Sequence, residues 1–527
     1  MHAACFYTVS TQQPSRHFFQ VSLQIRQPEP TGQIVWLPNW ILGSYMIRDF
    51  ARHISSVKAK TANGLLLNVK KLAKNKWQVQ AHDGDIILEY DVYAWDLSVR
   101  GAHLDQTHGY FNGTCLLLAV QGKENALHQL NLLTPQGLSW RVATTLAAVN
   151  IDKNGFGLYQ AANYLDLVDH PVEMADFTEL SFTSGQTPHK MVITGKHRAD
   201  TQRLADDLQK ICQAAINFWG DEQPPFSQYL FQVMAVGNGY GGLEHRSSTS
   251  LLCSRDDLPL ITEPKQKLGE KYKTFLGLCS HEYFHSWLVK RIQPDVLIKP
   301  DLHQENYTEL LWVFEGFTSY YDDLLLARAG IISTQEYLDL LAQTITRHIK
   351  TLGRFKQTVT ESSFDAWTKY YKPDENTPNS VVSYYVKGAL VALCLDLKLR
   401  QLSQQKISLD MVMRELWLNY GKVGKGVNNN TVQEIAQRLV KQDLTEFFNQ
   451  CLYSTEELPF VMLLSEQGIQ LSYKYDNGKQ QATACLGVRG QMADGGYQLQ
   501  NVWHGGAADI AGLSAGDLIV AVDGLKV

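Results

Sequence analysis

Two histidines and a glutamate near the middle of the chain are spaced for metal chemistry. His281-Glu282-Tyr283-Phe284-His285 lies inside residues 267–289, a segment with helical periodicity. Residues four apart on a helix project from nearly the same face, so both imidazoles can reach one metal ion while Glu282 points beside them. This donor set is typical of zinc hydrolases. We therefore predict a zinc site with Glu282 as general base; two surface histidines on a helix are the alternative.

A catalytic zinc ion needs a third protein ligand and an open position for water. Glu315 is the preferred ligand because it lies in an apolar helical run, residues 310–317, where an uncompensated carboxylate would cost several kcal/mol. Zinc would compensate that charge, and Lys290 or Arg291 is the alternative counter-charge. The other acidic residues considered downstream of His285 are Asp295, Asp301, Glu305 and Glu309.

The elements around these residues are mainly helical. A strand is predicted at residues 229–236, followed by a glycine-rich turn at residues 237–242. The segments with helical periodicity are residues 200–219, 267–289, 306–329, 334–350, 380–401, 409–420 and 432–441. They predict a mostly helical domain over residues 186–457.

The flanking regions have a different pattern. Residues 18–183 mainly alternate apolar and polar side chains, as in residues 19–25 and 85–92, which predicts an antiparallel β domain at residues 1–185. Short strands and glycines return after residue 458 and predict a third domain at residues 458–527. The fold class is therefore multidomain α+β.

Composition excludes several classes of protein. The 527 residues are 44% hydrophobic and 19% charged, with a net charge of -5, so no general positive field favours nucleic acid or an anionic membrane. The eight cysteines lie far apart, which predicts reduced and mostly buried thiols. Residues 381–395 are apolar but interrupted by Lys387, which favours a core helix over a membrane span. Because no signal peptide is recognisable, we expect a soluble cytoplasmic protein.

Four motifs, in order, resemble those of the gluzincin aminopeptidases. The resemblance is greatest to the glycyl aminopeptidase family, relatives of aminopeptidase N with a C-terminal PDZ domain, and extends from about Tyr229 to Val527. The motifs are Gly242-Leu243-Glu244-His245, His281-Glu282-Tyr283-Phe284-His285-Ser286-Trp287, Trp312-Val313-Phe314-Glu315-Gly316-Phe317 and Tyr385-Val386-Lys387-Gly388. The N-terminal run from Trp40 to Phe50, with Gly43 and Tyr45, also resembles the family.

The chain departs from aminopeptidase N in two places. The 29 residues between His285 and Glu315 form a longer spacer than in that relative. Its Gly-Ala-Met-Glu-Asn motif is here Gly241-Gly242-Leu243-Glu244-His245, which leaves the role of His245 open.

The resemblance implies a thermolysin-like catalytic domain and two further site residues. Glu244, with Gly241 and Gly242 beside it, would bind the free α-ammonium of a peptide; a surface ion pair with Arg246 is the alternative. Tyr385 would donate a hydrogen bond to the oxyanion, because the Tyr-x-Lys-Gly spacing selects it over Tyr384. The resemblance also implies a preference for N-terminal Gly or Ala.

The C-terminal segment resembles part of a PDZ domain. Leu486-Gly487-Val488-Arg489 and the Gly-Asp pattern of residues 511–524 carry this resemblance, which implies that a peptide C-terminus could bind there. Since the sequence ends before the last helix and strand of such a domain, we predict a truncated PDZ-like domain. Another small β module is the alternative.

Together these features predict a zinc-dependent aminopeptidase that acts on peptides with a free N-terminus. Two alternatives remain open at this point: a thermolysin-like endopeptidase that uses the same zinc helix, and a catalytically silent scaffold. Cobalt or manganese could also occupy such a donor set in place of zinc.

Overall fold

The structure, a computed structural model, describes residues 3–264, 268–475 and 484–527. The chain divides into two compact units. Unit 1 comprises Met1–Arg291, Pro300–Glu305 and Leu325–Ile332, and unit 2 comprises Ile292–Lys299, Asn306–Leu324 and Ser333–Val527.

The N-terminal part of unit 1 is built from sixteen described strands, which form one eight-stranded and two four-stranded sheets. The strands are Cys5–Ser10 (β1), Phe18–Ile25 (β2), Ile34–Trp36 (β3), Ile54–Thr61 (β4), Leu66–Leu67 (β5), Val69–Ala73 (β6), Lys76–Val79 (β7), Ile86–Tyr93 (β8), Ala102–Leu104 (β9), His108–Phe111 (β10), Ala119–Val120 (β11), His128–Leu132 (β12), Arg141–Ala143 (β13), Ala147–Ile151 (β14), Gly157–Ala161 (β15) and Val172–Ala175 (β16). Two short helices accompany them, Gly113–Leu116 (α1) and Tyr164–Val168 (α2).

The alternating sequence pattern sets the register of the large sheet. Strands β2 and β8 pair antiparallel, with Val21 opposite Tyr90 and Leu23 opposite Leu88. In both strands every second side chain is buried, which confirms the antiparallel β prediction for this region.

The remainder of unit 1 combines two long helices with a five-stranded sheet in the order β17-β18-β19-β21-β20. Its strands are Thr178–Ser184 (β17), Thr187–Thr194 (β18), Tyr229–Val236 (β19), Tyr240–Glu244 (β20) and Ser248–Ser254 (β21). The helices are Thr201–Trp219 (α3) and Glu270–Phe284 (α4). Strand β19 and the apolar stripe of α3 confirm the corresponding predictions.

Two predicted boundaries in this region were wrong. Gly241 and Gly242 lie in edge strand β20, paired with β21, whereas the glycine-rich composition predicted a turn through them. Helix α4 ends at Phe284, whereas apolar periodicity predicted a helix that continues to residue 289. After α4 the buried side chains continue in a series of turns, so the apolar pattern does not end where the helix does.

Helices dominate unit 2. They are Leu311–Phe314 (α5), Gly316–Arg328 (α6, which continues into unit 1), Thr334–Ile349 (α7), Val359–Phe364 (α8), Thr377–Ser380 (α9), Tyr384–Ser403 (α10), Leu409–Leu416 (α11), Thr431–Val440 (α12), Thr445–Leu452 (α13) and Phe460–Glu466 (α14). Helix α11 continues as one π-helical turn, Trp417–Gly421. The single helix predicted for residues 306–329 is instead α5 and α6, separated at Glu315.

Helix α10 is the core helix of unit 2. Among the described residues, Thr377–Ser403 is long and apolar enough to cross a membrane, but 78% of its most apolar window is buried inside the protein. Leu390, Val391 and Leu395 have no exposed surface. This burial confirms the prediction of a core helix at residues 381–395.

The C-terminal segment of unit 2 forms a small β structure. Its elements are Val488–Ala493 (β22), Gly496–Val502 (β23), Ala507–Ile510 (α15), Leu518–Ile519 (β24), Ala521–Val522 (β25) and Leu525–Lys526 (β26). The Asn379 side chain fixes it to α9 by donating from Nδ2 to the Val502 carbonyl at 2.9 Å and accepting from the His504 amide at 3.0 Å. The resemblance to a PDZ domain stays a prediction.

The cysteines match the expected burial with one exception. Seven of the eight thiols are buried, and Cys485 alone is exposed.

Candidate active site

The end of helix α4 positions two imidazoles towards one point. His281 lies in the last turn, and His285 is the C-cap residue with φ -60° and ψ -18°, so the chain keeps helical geometry across the four-residue spacing. The Nε2 atoms of His281 and His285 are 3.0 Å apart, as the spacing predicts.

The hydrogen bonds of His285 define which nitrogen is available for a ligand. Its Nδ1 lies 2.9 Å from the Leu288 carbonyl oxygen, which can only accept, so Nδ1 carries the proton and Nε2 a lone pair. A histidine held in this way is the usual arrangement around a bound metal. Two imidazole nitrogens this close repel unless a proton or cation lies between them, so the donor set fits zinc.

Glu282 lies between these histidines in sequence and is only 5% exposed. Strand β20 lies close to the Glu282 carboxylate: a Cβ atom added at Gly242 would overlap that group. Potential ligand atoms of Glu244, Glu282 and His285 all lie within 4.8 Å of one another. Unit 1 therefore brings two acidic groups and the imidazole together, although Glu244 comes from a different element.

Glu244 is a buried acid at the end of edge strand β20. It is 4% exposed, and its Oε1 atom has no hydrogen-bond partner among the described residues. Gly43 covers the carboxylate with φ +95°, and a Cβ atom there would overlap both carboxylate oxygens. The alternative partner, Arg246, is exposed and forms no ion pair with Glu244 within the described chain. A buried carboxylate of this kind favours a cationic ligand.

A buried ionic cluster supports the chain beyond Glu244. Asp169 lies 3.3 Å from His245 Nδ1 and 2.9 Å from Lys290 Nζ, and it accepts a hydrogen bond from the Arg246 amide. Burial alone would raise the pKa of Asp169, but Lys290 and His245 outweigh it and hold that pKa well below its usual value. The role of His245, open from sequence, is therefore structural pairing with Asp169.

Lys290 and Arg291, the alternative counter-charges for Glu315, have other partners in unit 1. Lys290 pairs with Asp169, and Arg291 donates to the carbonyl oxygens of Arg246 and Pro225. Both cations are thus engaged within unit 1. Sequence reasoning did not identify Asp169, since 76 residues separate it from His245 and no motif marks it.

In unit 2, Glu315 occupies the break between α5 and α6 and is 2% exposed. It is the one fully buried residue among the five acidic candidates for a third ligand. Asp295 is exposed, and the three half-buried candidates are Asp301, Glu305 and Glu309. Burial therefore singles out the carboxylate that the sequence favoured.

Tyr385 lies near Glu315 in unit 2. Burial raises the pKa of Tyr385 well above its usual value, and the Glu315 carboxylate raises it further. Its neighbour Tyr384 is fully buried, whereas Tyr385 is partly exposed. A Cβ atom at Gly316 would overlap the backbone of Gly388, so the segment carrying Glu315 packs directly on α10. This close approach explains why the motifs at residues 312–317 and 385–388 each contain a glycine, Gly316 and Gly388.

Two protein-family models match the chain. A model of the Peptidase M61 N-terminal domain matches residues 6–176, and a model of the M61 glycyl aminopeptidase matches residues 274–391. No curated protein matches the chain.

Solved structures extend the similarity over nearly the whole chain. An aminopeptidase N family protein from Idiomarina loihiensis is 43% identical, with a TM-score of 0.96 over 99% of this chain and 90% of that chain. An M1 zinc metallopeptidase mutant from Deinococcus radiodurans is 12% identical, with a TM-score of 0.52 over 86% of this chain and 95% of that chain. The same Deinococcus enzyme bound to the substrate Tyr-Ser-Ala is 13% identical, with a TM-score of 0.51 over 86% of this chain and 94% of that chain. The last two show a shared fold.

Proposed function

The chain belongs to the M61 glycyl aminopeptidase family and is a peptidase, and from this premise we propose a zinc-dependent aminopeptidase that removes the N-terminal residue of peptides. The observation that carries the proposal is the buried Glu244 carboxylate within 4.8 Å of potential ligand atoms of Glu282 and His285. An anionic group beside the reaction centre selects a free ammonium, which internal peptide bonds do not offer.

We propose that His281, His285 and Glu315 hold the zinc ion. The two Nε2 atoms in unit 1 supply a preformed pair of nitrogen donors, and Glu315 in unit 2 supplies a buried carboxylate. When bound, zinc supplies a Lewis acid that polarises the scissile carbonyl and makes water acidic near neutral pH.

Glu282 moves the proton in this proposal. Its carboxylate takes a proton from the attacking water and delivers it to the nitrogen of the leaving amine. Glu244 pairs with the substrate ammonium and so places the first peptide bond, not a later one, beside Glu282. Gly242 leaves the space that the Glu282 carboxylate occupies.

Tyr385 donates the hydrogen bond to the oxyanion. A tyrosine phenol is protonated at neutral pH and can donate, and burial raises the pKa of Tyr385 further in the same direction. One donor of this kind contributes about 2–4 kcal/mol of transition-state stabilisation.

The family description supports N-terminal Gly as the preferred residue. A preference for N-terminal Ala stays a prediction. The Deinococcus enzyme, crystallised with the peptide substrate Tyr-Ser-Ala, supports peptides as the substrate class. Binding of a peptide C-terminus by the PDZ-like segment and a cytoplasmic location stay predictions.

The proposal is tested with Glu282→Gln, which keeps the size of the side chain but removes the base. We expect kcat on glycyl and alanyl amides to fall by about 1,000-fold with zinc content unchanged, in the range of general acid–base catalysis. Glu270→Gln is the matched control on the same helix, since Glu270 is exposed at its start. Full activity of the Glu282→Gln protein with metal bound would overturn the assignment, and a chain without peptidase activity or zinc would be a silent scaffold.

A further inference from the structure

A second histidine cluster lies on the hairpin of β9 and β10 in unit 1. His103 and His108 flank the connection between these strands, and Asp105 lies within it. One potential ligand atom from each of the three residues lies within 4.8 Å of the other two. The imidazole rings of His103 and His108 stack with centroids 4.8 Å apart and an interplanar angle of 19°.

Both imidazoles are buried with one nitrogen unused. His103 is 5% exposed and His108 is 2% exposed. Neither His103 Nδ1 nor His108 Nε2 has a hydrogen-bond partner in the described parts of the chain. Leaving two buried polar atoms unsatisfied is costly, so this pair calls for a ligand that accepts electron pairs.

Carboxylates occupy the other nitrogens. His103 Nε2 lies 3.3 Å from Asp105 Oδ2, and His108 Nδ1 lies 3.2 Å from Glu173 Oε1. The Thr194 hydroxyl donates to the same Glu173 oxygen at 2.9 Å. A carboxylate on one imidazole nitrogen, itself fixed by a further hydrogen bond, is how proteins orient histidines that bind metals through the other nitrogen.

The hairpin fixes Asp105 as well. Its Oδ1 atom accepts hydrogen bonds from the amides of Thr107 and His108, at 2.6 Å and 3.1 Å, which leaves Oδ2 directed to His103. Because Asp105 Oδ2 lies 3.3 Å from His103 Nε2, the nitrogen of His103 that is left for a metal ion is Nδ1.

A cavity beside the cluster provides room for a water ligand. His103, His108 and Glu173 contribute to its wall, and part of the cavity is open to solvent. The Asp105 side chain is 28% exposed, so the cluster is accessible from solution.

From these contacts we infer that His103 Nδ1 and His108 Nε2 form a second site for a divalent transition-metal ion, with Asp105 and Glu173 as the positioning residues of the two imidazoles. Two imidazole ligands, with water in the remaining positions, suit zinc, and they disfavour calcium or magnesium, which take oxygen ligands. The site is separate from His281 and His285 and does not depend on the proposed peptidase activity.

The test counts zinc in the full chain after metal loading and dialysis, by elemental analysis and by calorimetric titration with Zn²⁺ alone. We expect two equivalents in the unaltered chain and one in the double variant His281→Ala/His285→Ala. Adding His108→Ala to that double variant should abolish the remaining equivalent. His53→Ala, which changes a half-buried histidine of the same unit outside the cluster, should leave it bound.

Glu173→Gln in the same background gives a graded readout that does not remove a ligand. We expect a 10- to 100-fold weaker Kd for Zn²⁺, as for other groups that orient a metal-bound histidine. Circular dichroism checks that each variant is folded, and His108→Gln replaces His108→Ala if the smaller side chain prevents folding. Absence of zinc from the His281→Ala/His285→Ala protein would overturn the second site. Retention of one equivalent when His108→Ala is added to that double variant would also overturn it. If the unaltered chain binds only one equivalent, and that equivalent is kept without His281 and His285 but lost with His108, the result would support the second site and refute the catalytic zinc.

Discussion

Helix α4 and strand β20 both present acidic residues to the candidate active site, but they hold them in different ways. In α4 the spacing of His281, Glu282 and His285 follows from helical geometry within five residues. In β20 the position of Glu244 depends on distant segments: Gly43 packs on its carboxylate, and Arg100 donates from Nη2 to the Gly242 carbonyl at 3.1 Å.

This difference separates local from long-range specification of a site. The residues of α4 keep their mutual positions wherever a helix forms. Glu244 reaches its position only if the N-terminal β domain is folded, because residues more than 140 positions earlier contact β20. We therefore expect substitutions in β20, and in the residues that contact it, to show how far the site depends on the N-terminal β domain. Substitutions in α4 would not show this dependence.

Among substitutions in β20 and the segments that contact it, Glu244→Ala is expected to lower activity most. Removing the carboxylate leaves the substrate ammonium buried without a counter-charge, which costs about 3–5 kcal/mol. We expect kcat/KM on aminoacyl amides to fall by about 1,000-fold while the zinc content stays constant. Steady-state kinetics with a glycyl amide and its N-acetylated form measure the change.

The N-acetylated peptide distinguishes the endopeptidase alternative. An aminopeptidase does not cleave it before or after the substitution. If the unaltered enzyme cleaves blocked peptides and Glu244→Ala leaves that rate intact, Glu244 does not bind an ammonium and the chain is an endopeptidase.

Asp169→Asn is expected to reduce stability more than catalysis. The substitution leaves Lys290 buried without its ionic partner, 2.9 Å away in the native chain, which costs about 3 kcal/mol of unfolding free energy. Urea denaturation measures the loss, with the exposed Asp206→Asn as control.

The pH dependence of this loss has a defined sign. The folded pKa of Asp169 lies well below its unfolded value near 3.9, so its contribution is complete above that value and disappears as the pH falls through the folded pKa. The stability difference between the native and Asp169→Asn proteins should therefore be constant from pH 6 to 8 and shrink below about pH 4. A difference that grew on acidification would contradict the ionic role of Asp169.

How well sequence predicts the site follows the same division. The facing imidazoles of His281 and His285 could be predicted because local geometry determines them. The burial of Glu315 could be predicted because the residue lies in an apolar run, and the residue is 2% exposed; its role as a zinc ligand stays a proposal. Strands β2 and β8 could also be predicted from sequence, since burial of one face of a strand imposes a two-residue alternation of apolar and polar side chains.

The features that sequence missed depend on residues that meet only in the fold. Gly241 and Gly242 suggested a turn, but pairing with β21 makes them a strand, and Glu282 needs the space beside Gly242. Asp169 carries no motif, and its importance arises from the two cations that fold against it. Propensity and periodicity contain no information on such partners.

Gly242→Ala is expected to have the smallest effect and to test the contact between the two elements directly. A Cβ atom at this position overlaps the end of the Glu282 side chain, which can move aside, so the protein should fold normally. A displacement of the base by about 1 Å is enough to lower kcat by 10- to 100-fold, and KM should change little because Glu244 is retained. Gly237→Ala is the matched control, since a Cβ atom there meets no other group. Equal kcat values for the two alanine variants would show that β20 does not set the position of Glu282, and the site would then be organised by α4 alone.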